Sequence, residues 1–265
     1  MLGIILSRRD FREYDQIISL YTRDEGKREA LARGIKKITS KNSAHCEPFS
    51  LVDVGIIKGK ELDHITTVQP MQVFRGIRES LEKSLAAGYV VRTTDQLLQT
   101  GERDVRIFDG LFGWLKYVEE TRNKKLEIVQ LVDGYIVLLL HCLGFSPVLE
   151  ICVICGKTFR TMMKESLAAT IGSELLAPNS GLYFAGGGLI CGDDKTKKRE
   201  VGEYVLDCGL KEVSDMQELL KGDWRLIGRY ELADDERIKL HRLVYEFLLF
   251  HSERKVGDWS NFCTE

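Results

Sequence analysis

The chain has 265 residues with 38 basic and 40 acidic side chains, and 44% of its residues are hydrophobic. This composition is ordinary for a folded globular protein and excludes a strongly basic chain, so any nucleic-acid surface must be local. No stretch reaches the roughly 20 apolar residues of a membrane span, and an odd number of cysteines, seven, favours a reduced, cytoplasmic compartment over a disulfide framework.

The first 75 residues predict a set of short strands. Residues 1–6 are apolar but run into Arg8 and Arg9 without a small-residue cleavage site, so they predict a first strand and not a signal peptide. The five β-prone segments are 3–6, 16–22, 29–32, 51–57 and 62–68. Hairpin signals lie at 24–26 and 58–60. Five short strands predict a small closed barrel, either an oligonucleotide-binding (OB) barrel or an SH3-like one, which periodicity cannot separate.

A basic stretch, residues 27–41, spans the third predicted strand and the loop after it. Six basic residues stand against one acid, Glu29: Lys27, Arg28, Arg33, Lys36, Lys37 and Lys41. In an OB barrel this stretch would meet a phosphate backbone, and Arg8, Arg9 and Arg12 would extend it. The alternative is that these side chains are only solvated. Tyr21 and Phe49 are the nearby candidates for base stacking, and their scarcity favours phosphate contacts over base readout.

Helical periodicity begins near residue 76. Leu81, Leu85 and Tyr89 mark one helix, residues 107–118 a second and residues 128–139 a third, with the basic tract 122–125 as a loop. Residues 150–207 have few periodic positions and many glycines, which predicts a segment held by a metal or by turns more than by a core. A last amphipathic helix is expected from about Asp235 to Arg254.

Two cysteine-containing segments in the glycine-rich region indicate a metal site. Cys152 and Cys155 are two residues apart and precede a glycine, so a tight turn can direct both sulfurs to one tetrahedral centre. Downstream, Cys191 follows three glycines, but the residue three further on is Asp194 and not a cysteine. The residues predict one structural zinc, with Asp194, Asp193, Cys208 or water as fourth ligand. The alternative is a degenerate knuckle held by packing.

No enzyme signature is present. Residues 55–61 resemble a phosphate loop, but they are one residue short and end in glutamate where serine or threonine must hold magnesium. A nucleophile elbow and a paired-histidine zinc motif are also missing from the sequence. We therefore predict that the chain is not an enzyme.

The motifs taken together resemble a known family, the bacterial DNA repair protein RecO. The matching features are Ala32-Arg33-Gly34 with the Lys36-Lys37 loop and Ser40-Lys41, the hairpin 57–62, the helix end 143–147, Cys152-Val153-Ile154-Cys155-Gly156, the turn from Gly186 to Cys191, and the terminal helix. No one motif is decisive, but their order and spacing are fairly specific and cover nearly the whole chain.

The resemblance implies an α+β protein with an N-terminal five-stranded OB-fold barrel, a helical domain and an inserted zinc-knuckle-like segment. The corresponding boundaries are 1–75 for the barrel, 76–149 and 208–265 for the helical domain, and 150–207 for the insertion. In zinc-bearing members four cysteines hold the metal. This sequence matches at Cys152, Cys155 and Cys191 and departs at Asp194.

The resemblance further implies a recombination mediator in the bacterial cytoplasm, at the nucleoid. Such a protein binds single- and double-stranded DNA, anneals complementary strands, and with RecR helps to load RecA onto DNA coated by single-strand binding protein. We expect phosphate contacts from Arg33, Lys36, Lys37 and Lys41, then from Lys27 and Arg28. The alternatives are a zinc-knuckle regulator or interaction module without annealing activity, and a metal-dependent nuclease, for which clustered carboxylates are missing.

Overall fold

The computed structural model describes residues 1–37, 45–121, 125–170, 180–252 and 256–260. Its contacts divide the chain into two units. Unit 1 comprises Met1–Tyr135 and Val256–Glu265, and unit 2 comprises Ile136–Lys255. The three-segment division expected from the sequence stays a prediction.

Unit 1 begins with a closed five-stranded barrel. Its strands are β1 (Leu2–Asp10), β2 (Gln16–Thr22), β3 (Gly26–Ala32), β4 (Leu51–Ile57) and β5 (Asp63–Gln72). They are hydrogen-bonded in the order β1-β2-β3-β5-β4, and β1 pairs with β4 to close the barrel. The β3–β5 pair is parallel and the others are antiparallel. This arrangement confirms the predicted five-stranded barrel.

The barrel is held by apolar side chains that point inward from its strands. Ile5, Ile18, Leu20 and Val52 are fully buried in one cluster. At the β2–β3 turn the chain reverses through Gly26, whose φ of 71° is a left-handed conformation that glycine adopts without strain. The hairpin signal at 24–26 thus marks the observed turn.

Helices follow the barrel. They are α1 (Arg75–Arg78), α2 (Leu81–Leu97), α3 (Val105–Glu120) and α4 (Lys125–Cys142), which crosses from unit 1 into unit 2. The Ser80 side chain caps α2 by accepting from the Lys83 amide, as N-cap serines do. The first predicted helix is confirmed, but Leu81 is 71% exposed and Leu85 38%. Its buried face is formed instead by residues that include Ala87 and Val90.

A half-buried carboxylate of α2 connects the helix to the barrel. Asp95 accepts hydrogen bonds from the Ser7 hydroxyl at 2.7 Å and the Ser19 hydroxyl at 2.6 Å. The ammonium of Lys27 lies 3.0 Å from the same carboxylate and also donates to the Leu98 carbonyl at 3.0 Å. Burial raises the pKa of Asp95, but the hydrogen bonds from the two serines and Lys27 outweigh it and leave the pKa below its usual value.

The C-terminal segment of unit 1 contributes a buried tryptophan. Trp259 is 1% exposed and its indole nitrogen donates to Asp133 Oδ1 at 2.9 Å. Its ring lies 5.1 Å from that of Tyr89, centroid to centroid. Val256 and Trp259 are therefore part of the packed interior of unit 1.

In the residues that the structure describes, unit 2 contains the end of α4, a small sheet and five further α-helices. Its strands are β6 (Ser180–Tyr183), β7 (Gly188–Cys191) and β8 (Leu206–Cys208), in the order β7-β6-β8. Its remaining helices are α5 (Phe159–Thr170), α6 (Gly192–Glu200), α7 (Leu210–Leu220), α8 (Trp224–Ile227) and α9 (Asp234–His251). Every residue of β6 and β7 is buried. The ring of Phe184, next to β6, lies 5.8 Å from that of Phe247 in α9, centroid to centroid. Packing against α9 therefore contributes to this segment, for which the sequence suggested a metal or turns more than a core.

Among the residues that the structure describes, no helix combines the length and the apolar character needed to cross a bilayer.

Candidate nucleic-acid interface and metal centre

One end of the barrel brings together two loops, residues 11–15 between β1 and β2 and the basic segment 33–37 after β3, which we call the loop end. The Lys36 amide donates to the Tyr14 carbonyl at 3.1 Å, and the Gly34 amide donates to Asp15 Oδ1 at 2.8 Å. Gly34 has a φ of 64°, which only glycine adopts readily. Backbone bonds and a glycine turn therefore hold the two loops together.

The exposed cations of the loop end are Arg12, Arg33, Lys36 and Lys37. The Lys36 ammonium lies 2.8 Å from Asp10, but both side chains are more than one-third exposed, so this ion pair is weak and open to exchange. Lys37 lies over the Tyr14 ring at 5.7 Å. A phosphate arriving from solvent can replace the Asp10 partner without a burial cost.

The opposite end of β2 and β3 is covered by unit 1 itself. The Lys27 amide donates to the Glu102 carbonyl at 3.2 Å, and the Gly101 amide donates to the Lys27 carbonyl at 2.7 Å. These bonds attach the connection between α2 and α3 to the β2–β3 turn. The loop end lies at the other end of this hairpin, at the start of β2 and the end of β3. Among the residues that the structure describes, the basic side chains there are exposed.

The structure brings together only some of the predicted DNA contacts. Arg33, Lys36 and Lys37 share the loop end. Lys27 is 8% exposed and its ammonium is bound by Asp95, so we leave it out of the proposed surface. Arg28 bonds both Glu25 and Asp63. Lys41 lies outside the described residues, and DNA binding by the whole set stays a prediction.

The two aromatic side chains first considered for stacking are buried. Tyr21 is fully buried, and its hydroxyl donates to the Asp104 carbonyl at 3.0 Å. Phe49 is 8% exposed and lies under the Arg78 guanidinium at 4.2 Å. The exposed aromatics at the loop end are Phe11 and Tyr14, which sequence reasoning missed. The available signal was an aromatic–arginine pair and a second aromatic in the connection between two predicted strands.

In unit 2 the four predicted metal ligands converge. The ligand atoms of Cys152, Cys155, Cys191 and Asp194 all lie within 4.8 Å of one another. Cys155 Sγ is 3.8 Å from Cys191 Sγ, and Asp194 Oδ2 is 3.3 Å from Cys152 Sγ and 3.2 Å from Cys191 Sγ. A tetrahedral zinc with ordinary bond lengths separates two sulfurs by about 3.8 Å and a sulfur from an oxygen by about 3.6 Å. The cluster therefore fits a tetrahedral ion.

Local backbone structure positions the first two ligands. The Cys152 amide donates to the Lys157 carbonyl at 2.8 Å, and the Gly156 amide donates to the Cys152 carbonyl at 2.9 Å. Gly156 has a φ of 75° and so permits the tight turn. The Val153 amide bonds the Leu189 carbonyl at 2.9 Å and joins this turn to β7.

The last two ligands lie where β7 passes into α6. Cys191 is the N-cap of α6 and Asp194 lies in its first turn, three residues on. A carboxylate is favourable there because the helix N-terminus carries partial positive charge. Hydrogen bonds from the thiols, above all from Cys155, lower the pKa of Asp194, so this carboxylate is ionised and ready to bind a cation.

The thiols of Cys155 and Cys191 have raised pKa values when no metal is bound. Burial raises the pKa of Cys191 to about 12, and the hydrogen bond with Asp194 raises that of Cys155. A metal must displace these protons, so its affinity falls as pH falls. Three sulfurs and one carboxylate form a donor set that zinc accepts. The cluster could hold a metal, and Asp194 is placed for the fourth position, whereas Asp193 is largely exposed beside Lys157.

Comparison with known proteins assigns two consecutive segments of the chain to one family. The model described as "Recombination protein O N terminal" matches residues 1–74. The model described as "Recombination protein O C terminal" matches residues 78–260.

Relatives named DNA repair protein RecO match almost the full length of this chain. The DNA repair protein RecO of Symbiobacterium thermophilum is 29% identical over 260 residues, which cover 96% of this chain and 92% of the relative. The RecO of Bifidobacterium adolescentis is 26% identical, covering 96% and 94%. That of Thermobifida fusca is 27% identical, covering 96% and 93%. The chain therefore belongs to the RecO family of DNA repair proteins, and its barrel is the OB fold of that family.

Proposed function

We propose that the protein is a recombination mediator that binds single- and double-stranded DNA through the loop end and anneals complementary strands. The observation that carries this proposal is that hydrogen bonds hold the segment 33–37, with its exposed Arg33, Lys36 and Lys37, against the β1–β2 loop at the loop end. The β1–β2 loop of an OB barrel is one of the loops that bind oligonucleotides, and the segment 33–37 is hydrogen-bonded to it. No covalent chemistry is needed, so the protein acts as a binding protein and not as an enzyme.

Annealing follows from charge neutralisation. Two complementary strands repel each other through their phosphates, and cations held at the loop end reduce that repulsion. Base pairing then supplies the free energy that drives the strands together. Weakly paired lysines suit this role, because a strand must be released once it has paired.

The test compares annealing of complementary fluorescent oligonucleotides, bare and coated with single-strand binding protein, across a salt series. The variant Lys36→Glu/Lys37→Glu should lose annealing, and the slope of log affinity against log salt should fall by about 1.4 for single strands. A matched control is Lys116→Glu/Lys164→Glu, which makes the same charge change on the exposed faces of α3 and α5. Equal effects in the two variants, or binding of duplex alone without annealing, would contradict the proposal and favour a zinc-knuckle regulator.

We also propose that the mediator works with RecR and single-strand binding protein and helps to load RecA, in the cytoplasm at the nucleoid. Family membership supports these partners. A strand-exchange assay with RecA on DNA coated by single-strand binding protein tests them, because stimulation should require both this protein and RecR. Stimulation by this protein without RecR would remove RecR from the proposal.

The metal that we propose for the cluster is one structural zinc. Cys152, Cys155, Cys191 and Asp194 would hold it, and bound zinc would cross-link the turn before α5 to the start of α6. Its four protein ligands leave no open position for catalysis. Zinc content after dialysis against a chelator and resupply should be about one per chain in wild type and near zero in Cys152→Ser/Cys191→Ser. A wild-type value near zero with the fold intact would contradict the site.

A further inference from the structure

Two aromatic side chains at the loop end are exposed to solvent. Phe11 is 43% exposed and Tyr14 is 46% exposed. Each ring lies beside a cation, since Arg12 is 5.2 Å from the centre of the Phe11 ring and Lys37 is 5.7 Å from that of Tyr14. Rings of this size with cations at their faces present the combination that proteins use to hold unpaired bases.

The loop that carries these rings is held in one conformation by hydrogen bonds. The Phe11 amide donates to the Asp15 carbonyl at 3.1 Å, and the Asp15 amide donates to the Arg12 carbonyl at 3.3 Å. The Asp15 carboxylate accepts the Gly34 amide, and the Tyr14 carbonyl accepts the Lys36 amide. A ligand that binds the rings therefore does not have to order the backbone of this loop. This lowers the entropic cost of binding.

We propose that Phe11 and Tyr14 form a stacking platform for the bases of single-stranded DNA, which makes the loop end prefer single strands to duplex. This inference rests on the proposed function, because it assumes that the loop end is the DNA site. The faces of bases in a duplex are covered by their neighbours, so only an unpaired strand can stack on the rings. Arg12 and Lys37 then neutralise the phosphates that join the stacked bases.

The inference separates two contributions to binding at one site. Cations act on phosphates, which single strands, duplexes and abasic strands all possess. Aromatic rings act on bases, which an abasic strand lacks. An oligothymidylate, an abasic oligonucleotide of equal length and a duplex of equal length are therefore the probes that distinguish the two contributions.

The test measures the affinity of these three probes for wild type and for Phe11→Ala/Tyr14→Ala. Wild type should bind the thymidylate strand more tightly than the abasic one. The variant should bind the thymidylate strand about fivefold to about a hundredfold more weakly, with little change for the other two probes. Tyr204→Ala, which removes another exposed tyrosine, is the matched control and should bind all three as wild type does.

A second variant and a photochemical readout protect the test against misfolding. Phe11→Leu/Tyr14→Leu keeps apolar side chains at both positions and should still lose the preference for bases. A strand with 5-iododeoxyuridine should crosslink to Phe11 or Tyr14 on irradiation, with the adduct located by mass spectrometry.

Three results would overturn the platform. These are equal wild-type affinity for thymidylate and abasic strands, an undiminished preference in the leucine variant, and adducts confined to other residues. If wild type binds none of the three probes, the proposed function itself fails and the platform with it. If wild type binds all three equally, the DNA site stands and only the platform is lost.

Discussion

Replacing Lys27 by methionine should destabilise the protein and leave its DNA binding intact. The side chains of Lys27 and Asp95 are 10% and 19% exposed, and their charged atoms lie 3.0 Å apart. At an effective dielectric constant of about 20, two charges at that distance attract by about 5 kcal/mol. Much of this attraction offsets the cost of removing the charges from water.

The net effect is the cost of leaving Asp95 buried without its cation. Removing one partner of a buried pair costs about 3 to 5 kcal/mol. Because the Ser7 and Ser19 hydroxyls remain as donors to Asp95, we expect a value near the lower limit, about 3 kcal/mol. The apolar stem of methionine fills the space of the lysine stem, so the change removes the ammonium and its hydrogen bonds without leaving a large cavity.

The assay pairs chemical unfolding with a salt titration of DNA affinity. Trp114 and Trp259 are buried in unit 1, and their fluorescence reports on its unfolding. Lys37→Met, which removes an exposed lysine at the loop end, should give the opposite result: unchanged stability, weaker binding and a smaller salt slope. A Lys27→Met variant that is as stable as wild type but binds DNA weakly would refute the reasoning.

Three further changes test other parts of the structure. The pKa of Asp95 lies below its usual value, so its ionised form stabilises the folded state above about pH 4. This stabilisation is lost as pH falls through the folded-state pKa. The free energy of unfolding, measured from about pH 3 to about pH 7, should therefore decrease at the acid end. Asp194→Cys should tighten zinc binding in competition with a chromophoric chelator, because a fourth thiolate replaces a harder oxygen. Trp259→Ala should lower the free energy of unfolding by about 4 kcal/mol in urea titrations, since it empties a buried site beside Tyr89 and removes a donor to Asp133.

Much of the barrel could be read from local patterns. The predicted limits of β2 and β4 coincide with the observed ones, Gln16–Thr22 and Leu51–Ile57. Alternation of apolar residues and turn-forming residues are properties of a few neighbouring positions, so the sequence displays them directly. Helix α2 was also expected, but its buried face was misjudged, because its small residues pack inward while Leu81 and Leu85 stay outside.

The small sheet of unit 2 shows why other elements were harder to predict. Strands β6 and β7 have four residues each and β8 has three, too few for a period to be recognised. Each is a strand because its partners supply hydrogen bonds, and β6 pairs with β7 on one side and β8 on the other. Such pairing depends on chain segments that local sequence does not bring together.

The sequence by itself determined the family, the barrel and the cysteine cluster, because strand patterns, thiol spacing and motif order can all be recognised from residues that are close together in the chain. Only the tertiary structure decided which side chains remain available for binding. Lys27 and Lys37 are the same residue type in the sequence. In the structure Lys27 is bound by Asp95, 68 positions away, while Lys37 lies at the loop end. Burial and charge pairing depend on the whole fold, so a basic side chain is available to a ligand only where the fold leaves its charge in water.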